Sequence, residues 1–324
     1  MKDLKANFQI WEERKYMLWM ANRTRGRHQL WGSALWLIVI FVSANAIPQS
    51  ADVEPSRRFW PPGYRPATSS AKPKAAKYRR VTPPLTKTES LAAEAGEAVL
   101  GVTIWRLRPA QATDAARILV TKSGRKTDYT PERVEASTAF NEGQLVRLSV
   151  EVPRNGYLYV INREQYADST FSDPYLIFPL QSQHGENRVS AGRVVELPPQ
   201  MDEQAVFELH SVRGEGKAAQ VAEVLTFLIS PTPLTGLPQL NADDSPLKLS
   251  PVLVEDWEKR WSANVEQLEL VQGAGTAYTH AEQRAGLSAK QRLTPADPLP
   301  QTIFRVGTKR GSPFVVKMPL KISQ

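Results

Sequence analysis

The stretch "LVRLSVEVPRNGYLYVIN" (residues 145–162) decides how the chain folds. Its first half alternates. Val146, Leu148, Val150 and Val152 fall on one side of an extended chain, and Arg147, Ser149 and Glu151 on the other. A two-residue period is the mark of a strand with one dry and one wet face. Asn155-Gly156 follows, a pair that accepts positive φ and predicts a tight hairpin. "YLYVIN" is then apolar on both sides, which predicts a strand in the middle of a sheet.

Outward from this stretch the pattern repeats. "VLGVTIWRLR" (residues 99–108) alternates, with Trp105 breaking the rhythm. "PYLIFPL", "RVVELP", "AVFELHSV" and "VLTFLIS" follow at short intervals, punctuated by Gly, Pro and Asn. "QTIFRV" and "PFVVKMPL" close the chain and are expected to complete the sheet opened by residues 99–108. Short strands without intervening helices predict an all-β fold, an antiparallel β-sandwich of the immunoglobulin-like class. One helix is expected near 251–270. Ser250-Pro251 provides an N-cap and a first-turn Pro, and Val254, Trp257, Trp261, Val265 and Leu268 recur at helical spacing.

The 324 residues divide into three parts. Residues 1–46 read as a signal peptide or an N-terminal anchor. Arg23, Arg25 and Arg27 precede the 13-residue apolar run "LWGSALWLIVIFV", and "ANA" (residues 44–46) follows it. The run is short against the roughly 20 residues a span needs, which favours cleavage after Ala46. Residues 47–94 read as a basic, Pro-rich linker. Eight prolines between 47 and 85 and few aliphatics leave too little to bury. Residues 95–324 read as the sandwich domain.

Charge follows the same division. The net charge is +8, but residues 95–324 carry 25 Lys/Arg against 26 Asp/Glu. The basicity belongs to the first 94 residues, so the folded part does not have the charge of a nucleic-acid-binding domain. The sequence contains no Cys, which excludes disulfides, thiol catalysis and a lipid-modified N-terminal Cys. His28, His184, His210 and His280 show no zinc-binding spacing, and G-x-S-x-G, Walker A and G-x-G-x-x-G motifs are absent. "GEGK" (residues 214–217) lacks the following Ser/Thr of a phosphate loop and reads as a hairpin tip. No cofactor is implied.

The candidate site is the acidic, aromatic loop after "YLYVIN". Glu164, Asp168 and Asp173 supply carboxylates, and Tyr166 and Phe171 supply rings expected at the surface. Loop carboxylates are the donors calcium takes. Here, however, the spacing matches no EF-hand, and the reading of a solvated acidic loop with no metal is preferred. Two such carboxylates are also the minimum for a glycoside hydrolase.

Several segments resemble a known bacterial group. These are "GVTIWRLRP", "GYLYVINREQYAD", "PYLIFP", "ENRVSAGRVVELP", "LTPADPLPQTIFRV" and "PLKI", in this order from about 100 to 322. Together they resemble the domain of unknown function family numbered forty-three eighty-four. The resemblance implies an exported or anchored accessory or sensing module, since the domain also accompanies protein kinases and caspase-like peptidases, and it carries over no catalytic residue. It also implies a Gly after the Asp of the second block, where this chain has Ser169. The combined expectation is an exported, periplasmic or secreted, non-enzymatic binding module of the cell envelope. Its partner would be a protein or an envelope polymer, not nucleic acid, and it would meet the membrane only through an uncleaved N-terminal segment. The alternative expectation is a carboxylate-dependent hydrolase of envelope polysaccharide.

Overall fold

A computed structural model of the chain describes residues 78–82, 95–122, 125–180, 186–199, 206–210, 218–241, 245–287, 293, 297–309 and 311–323. The leader and the GEGK segment lie outside the described residues. The strands are β1 (Tyr78–Arg80), β2 (Ala95–Pro109), β3 (Ile118–Lys122), β4 (Arg125–Val134), β5 (Ala139–Phe140) and β6 (Leu145–Glu151). Next come β7 (Gly156–Tyr166), β8 (Tyr175–Phe178), β9 (Arg188–Val189), β10 (Val194–Leu197) and β11 (Phe207–Glu208). The last are β12 (Gln220–Ser230), β13 (Leu247–Lys248), β14 (Asn264–Leu270), β15 (Thr302–Lys309) and β16 (Phe314–Ile322). The helices are α1 (Pro251–Arg260) and α2 (His280–Leu287).

These strands form a β-sandwich. One sheet has nine strands in the order β1-β14-β15-β2-β4-β3, with β6 on the other edge of β2 and β10 and β11 on β6. The second has seven, in the order β13-β8-β7-β12-β16-β5, with β9 on β7. All pairings are antiparallel except β16 with β5. The alternation read from residues 145–152 sets the inner layer. Val146, Leu148, Val150 and Val152 meet Leu158, Val160, Phe227 and Phe314 across the two sheets. β7 lies mid-sheet between β12 and β8, and its second apolar side, Tyr159 and Ile161, is also buried.

Several expectations are corrected. Asn155-Gly156 does not close a hairpin, because β6 and β7 belong to different sheets and the segment is a crossover between layers. Gly156 is required for a different reason: a Cβ there would lie 2.4 Å from the backbone oxygen of Ser230. The helix expected to 270 ends at Arg260. Its first turns bury Val254 and Trp257 against the outer side of the seven-stranded sheet. Ser250 occupies the N-cap position but makes no side-chain cap bond. Val265 and Leu268 belong instead to β14, which pairs with β15. "QTIFRV" does pair with β2, whereas "PFVVKMPL" joins the other sheet beside β12. Within the expected linker, Tyr78–Arg80 is an edge strand on β14.

The face of β6 read as wet is covered. Arg147 and Glu151 are buried with Ser149 between them, and residues 271–287 form a roof over the neighbouring Trp105, Arg133 and Glu196. The sandwich is therefore covered on both outer faces. Residues 231–241 and 245–249 with α1 cover one, and the roof covers the other around Trp105.

Candidate functional site

The predicted loop is compact, and each of its carboxylates has its own partner. β7 ends at Tyr166, which is 8 % exposed, so its ring is not the surface group expected from the sequence. The Tyr166 hydroxyl donates to Glu164 Oε2 at 2.6 Å. Asp168 Oδ1 accepts from the Thr170 backbone N–H at 3.0 Å and from its hydroxyl at 2.7 Å. Those bonds hold the Asp168 carboxyl below its ordinary pKa. Asp173 pairs with Lys248. The three carboxylates do not converge, and among the described residues no group of three His, Cys, Asp or Glu is placed to hold a metal ion.

The backbone explains the tightness of this turn. Ser169 has φ +67°, the left-handed region, and its N–H donates to the Tyr166 carbonyl at 2.9 Å. The position thus demands the conformation that Gly adopts most easily.

Phe171 remains at the surface, 41 % exposed. The Arg163 guanidinium lies over its ring, 4.9 Å from the centroid. Arg163 is itself fixed by its Nε–H, which donates to the Ser172 carbonyl at 3.1 Å. The Arg163 side chain is itself only 11 % exposed and lies 4.0 Å from Glu255, so the group presented to solvent is the Phe171 ring.

A second polar constellation, not predicted from the sequence, lies under the roof. Strand register aligns Arg133 of β4, Trp105 of β2 and Arg147 of β6 in one transverse row. Thr103, Ser149 and Glu196 form the next row. The Trp105 indole N–H donates to Ser149 Oγ at 2.8 Å, and the Ser149 hydroxyl donates to Glu196 Oε1 at 2.7 Å. The Arg133 guanidinium lies 5.2 Å from the centroid of the Trp105 ring. It donates to the Leu299 carbonyl at 2.6 Å and pairs with Glu282.

The roof is held by a reciprocal cap. Glu282 N–H donates to Thr279 Oγ1 at 3.2 Å, while Thr279 N–H and hydroxyl each donate to Glu282 Oε2 at 2.7 Å. This T-x-x-E pattern starts α2 and leaves Oε1 of Glu282 for Arg133. Tyr278 meets Trp105 edge-on, and Gly286 lies so close that a Cβ would be 2.7 Å from Glu196 Oε1. Burial pushes the Glu196 carboxyl above its ordinary value, against the pull of Arg147 and the Ser149 hydroxyl. Burial likewise pushes the Tyr278 hydroxyl up. Trp105, out of rhythm in β2, was the one sequence signal of this covered face.

No family model matches the chain, and neither a curated protein nor a solved structure matches it.

Proposed function

We propose that the chain is an exported, non-enzymatic binding or accessory module of the bacterial cell envelope. In this reading it presents the Phe171 ring, backed by Arg163, to a protein or envelope polymer. The observation that carries it is Phe171, held at the surface at 41 % exposure against the little-exposed Arg163 guanidinium, which a backbone bond fixes. A large ring left in water on a rigid strand end is a contact surface for a sugar or a peptide. The apolar run and A-x-A of the leader support export, and the basic, Pro-rich residues 47–77 support a tether. The hydrolase reading requires two carboxylates free to act on a glycosidic bond. Glu164, Asp168 and Asp173 are instead bonded to Tyr166, Thr170 and Lys248, which supports binding over hydrolysis at this loop.

The test is co-sedimentation of the purified protein with isolated cell-wall polymer, comparing wild type with Phe171→Ala. Binding by wild type and its loss in the variant, at equal melting temperature, are expected. Equal binding by both would move the surface elsewhere. Release of soluble sugar from the polymer would instead establish the hydrolase.

A further inference from the structure

Beneath the roof, two arginines one strand apart are treated differently. Arg133 is buried and satisfied by Leu299 and Glu282. Arg147 is 2 % exposed, and among the described residues neither of its Nη atoms has a hydrogen-bond partner. Its nearest ion-pair oxygen, Glu196 Oε2, lies 3.9 Å from Nη2, beyond hydrogen-bond range. Glu196 turns its other oxygen to Ser149. A guanidinium stays charged in any protein environment and presents its N–H groups as a planar fork. Burying such a fork without an acceptor is costly, because the charge forfeits its hydration and receives only a distant neighbour in return.

The surroundings define what acceptor fits. Trp105 is the register partner of Arg147, and Tyr278 meets the Trp105 ring edge-on, so two rings stand on the side of the sheet that carries the fork. The Tyr278 hydroxyl makes no hydrogen bond among the described residues. Glu196 is faced by Arg147 and Ser149 from β6 and by Glu282 and Tyr278 from the roof, with Arg133 behind Glu282.

We propose that Arg147 anchors an enclosed site for a small monocarboxylate, whose two oxygens take the Arg147 fork on the side of the sheet that carries Trp105 and Tyr278. The planar pair of carboxylate oxygens matches the guanidinium bidentately. A monoanion supplies the negative charge that the Arg147 fork lacks within hydrogen-bond range. A phosphate dianion would leave a second negative charge buried.

Acetate is the minimal probe, titrated calorimetrically into the full chain at constant ionic strength, with inorganic phosphate as the competing anion. Saturable acetate binding is expected. Arg147→Lys keeps the charge but not the fork and is expected to weaken acetate about tenfold or more. Glu196→Gln, which removes the nearest carboxylate from Arg147, is expected to leave acetate binding in place. Absence of saturable acetate binding by wild type overturns the proposal and leaves Arg147 bonded to ordered water. So do equal affinities of wild type and Arg147→Lys, or phosphate binding tighter than acetate.

Discussion

Trp105 and Tyr278 meet edge to face, with ring centroids 4.8 Å apart and planes at 82°. One belongs to β2 and the other to the roof, so this contact ties the sheet to its cover. Trp105→Ala also removes the donor to Ser149 and is expected to cost about 3–5 kcal/mol of stability. In a double-mutant cycle with Tyr278→Ala, urea unfolding is expected to give a coupling of about 0.5–1.5 kcal/mol. Additive losses would show that the roof is held without this ring pair.

Tyr159 is buried on the other outer face, and its hydroxyl oxygen accepts from the Leu234 N–H at 2.8 Å. Tyr159→Ala is expected to destabilise by about 3–5 kcal/mol. Tyr159→Phe leaves the Leu234 N–H without that acceptor, at about 1–3 kcal/mol. Asp168→Ala, which removes bonds only within its own turn, is expected to shift the denaturation midpoint far less. Because the three loop carboxylates have separate partners, adding a chelator is expected to leave the wild-type melting temperature unchanged. A drop would make Glu164, Asp168 and Asp173 the first residues to test as ligands.

Ser169→Gly is expected to stabilise the chain by about 1 kcal/mol, since a left-handed residue with a Cβ carries a penalty that Gly avoids. Chemical denaturation of the purified variant checks the sign. A loss of stability would mean that the greater freedom of Gly in the unfolded chain outweighs the relief.

Two carboxyls are expected to give stability opposite slopes with pH. Asp114 accepts from Arg108 at 2.7 Å, from the Gln111 N–H at 2.6 Å and from the Thr130 hydroxyl at 2.7 Å, which together hold it well below its ordinary 3.8. A depressed carboxyl contributes stability above its unfolded value and loses it as pH falls through the folded one. The deficit of Asp114→Asn relative to wild type is therefore expected to shrink below pH 4. Glu196 is raised by burial above its ordinary 4.5, so the folded chain holds this proton longer than the unfolded chain does. Stability is lost as pH rises from that ordinary value through the folded one. Relative to wild type, Glu196→Gln is expected to gain across that window. Urea unfolding between pH 3 and pH 8 reads both.

β1 is expected to be protected from trypsin. Val81 N–H donates to the Gln267 carbonyl at 2.9 Å, Gln267 N–H donates to Thr82 Oγ1 at 2.6 Å, and the Tyr78 hydroxyl donates to the Pro300 carbonyl at 2.8 Å. Arg79 pairs with Glu135, and Arg80 pairs with the buried Glu266. Mass spectrometry of a native digest is expected to show the stable fragment beginning before Tyr78. Rapid cleavage after Arg79 or Arg80 would mean that the strand opens readily.

Much of the sandwich was legible because its signal is local. The alternation in residues 145–152 and the two-sided apolar run in "YLYVIN" each follow from the two-residue period of a strand. β4 was missed because Pro131 interrupts a polar run, although the strand pairs with β2 along 104–109. At the loop, residue types were legible but directions were not: Tyr166 turned inward to Glu164, while Phe171 stayed out beneath Arg163.

The sequence by itself determined which side chains of β6 face the space between the sheets, because alternate residues of a strand must point opposite ways. It also determined that the positive charge lies in the first 94 residues, since that is a matter of counting. Only the tertiary structure decided what lies on the other side of β6. Arg147, Ser149 and Glu151 are polar whether water or a roof covers them, and the roof comes from residues 271–287, distant in the chain. Nor did Asn155-Gly156 decide its own turn. A hairpin needs both flanking strands in one sheet, and the partners of β6 and β7 lie in different sheets. Strand partnership is a long-range property, whereas the period of a strand is carried by the strand alone.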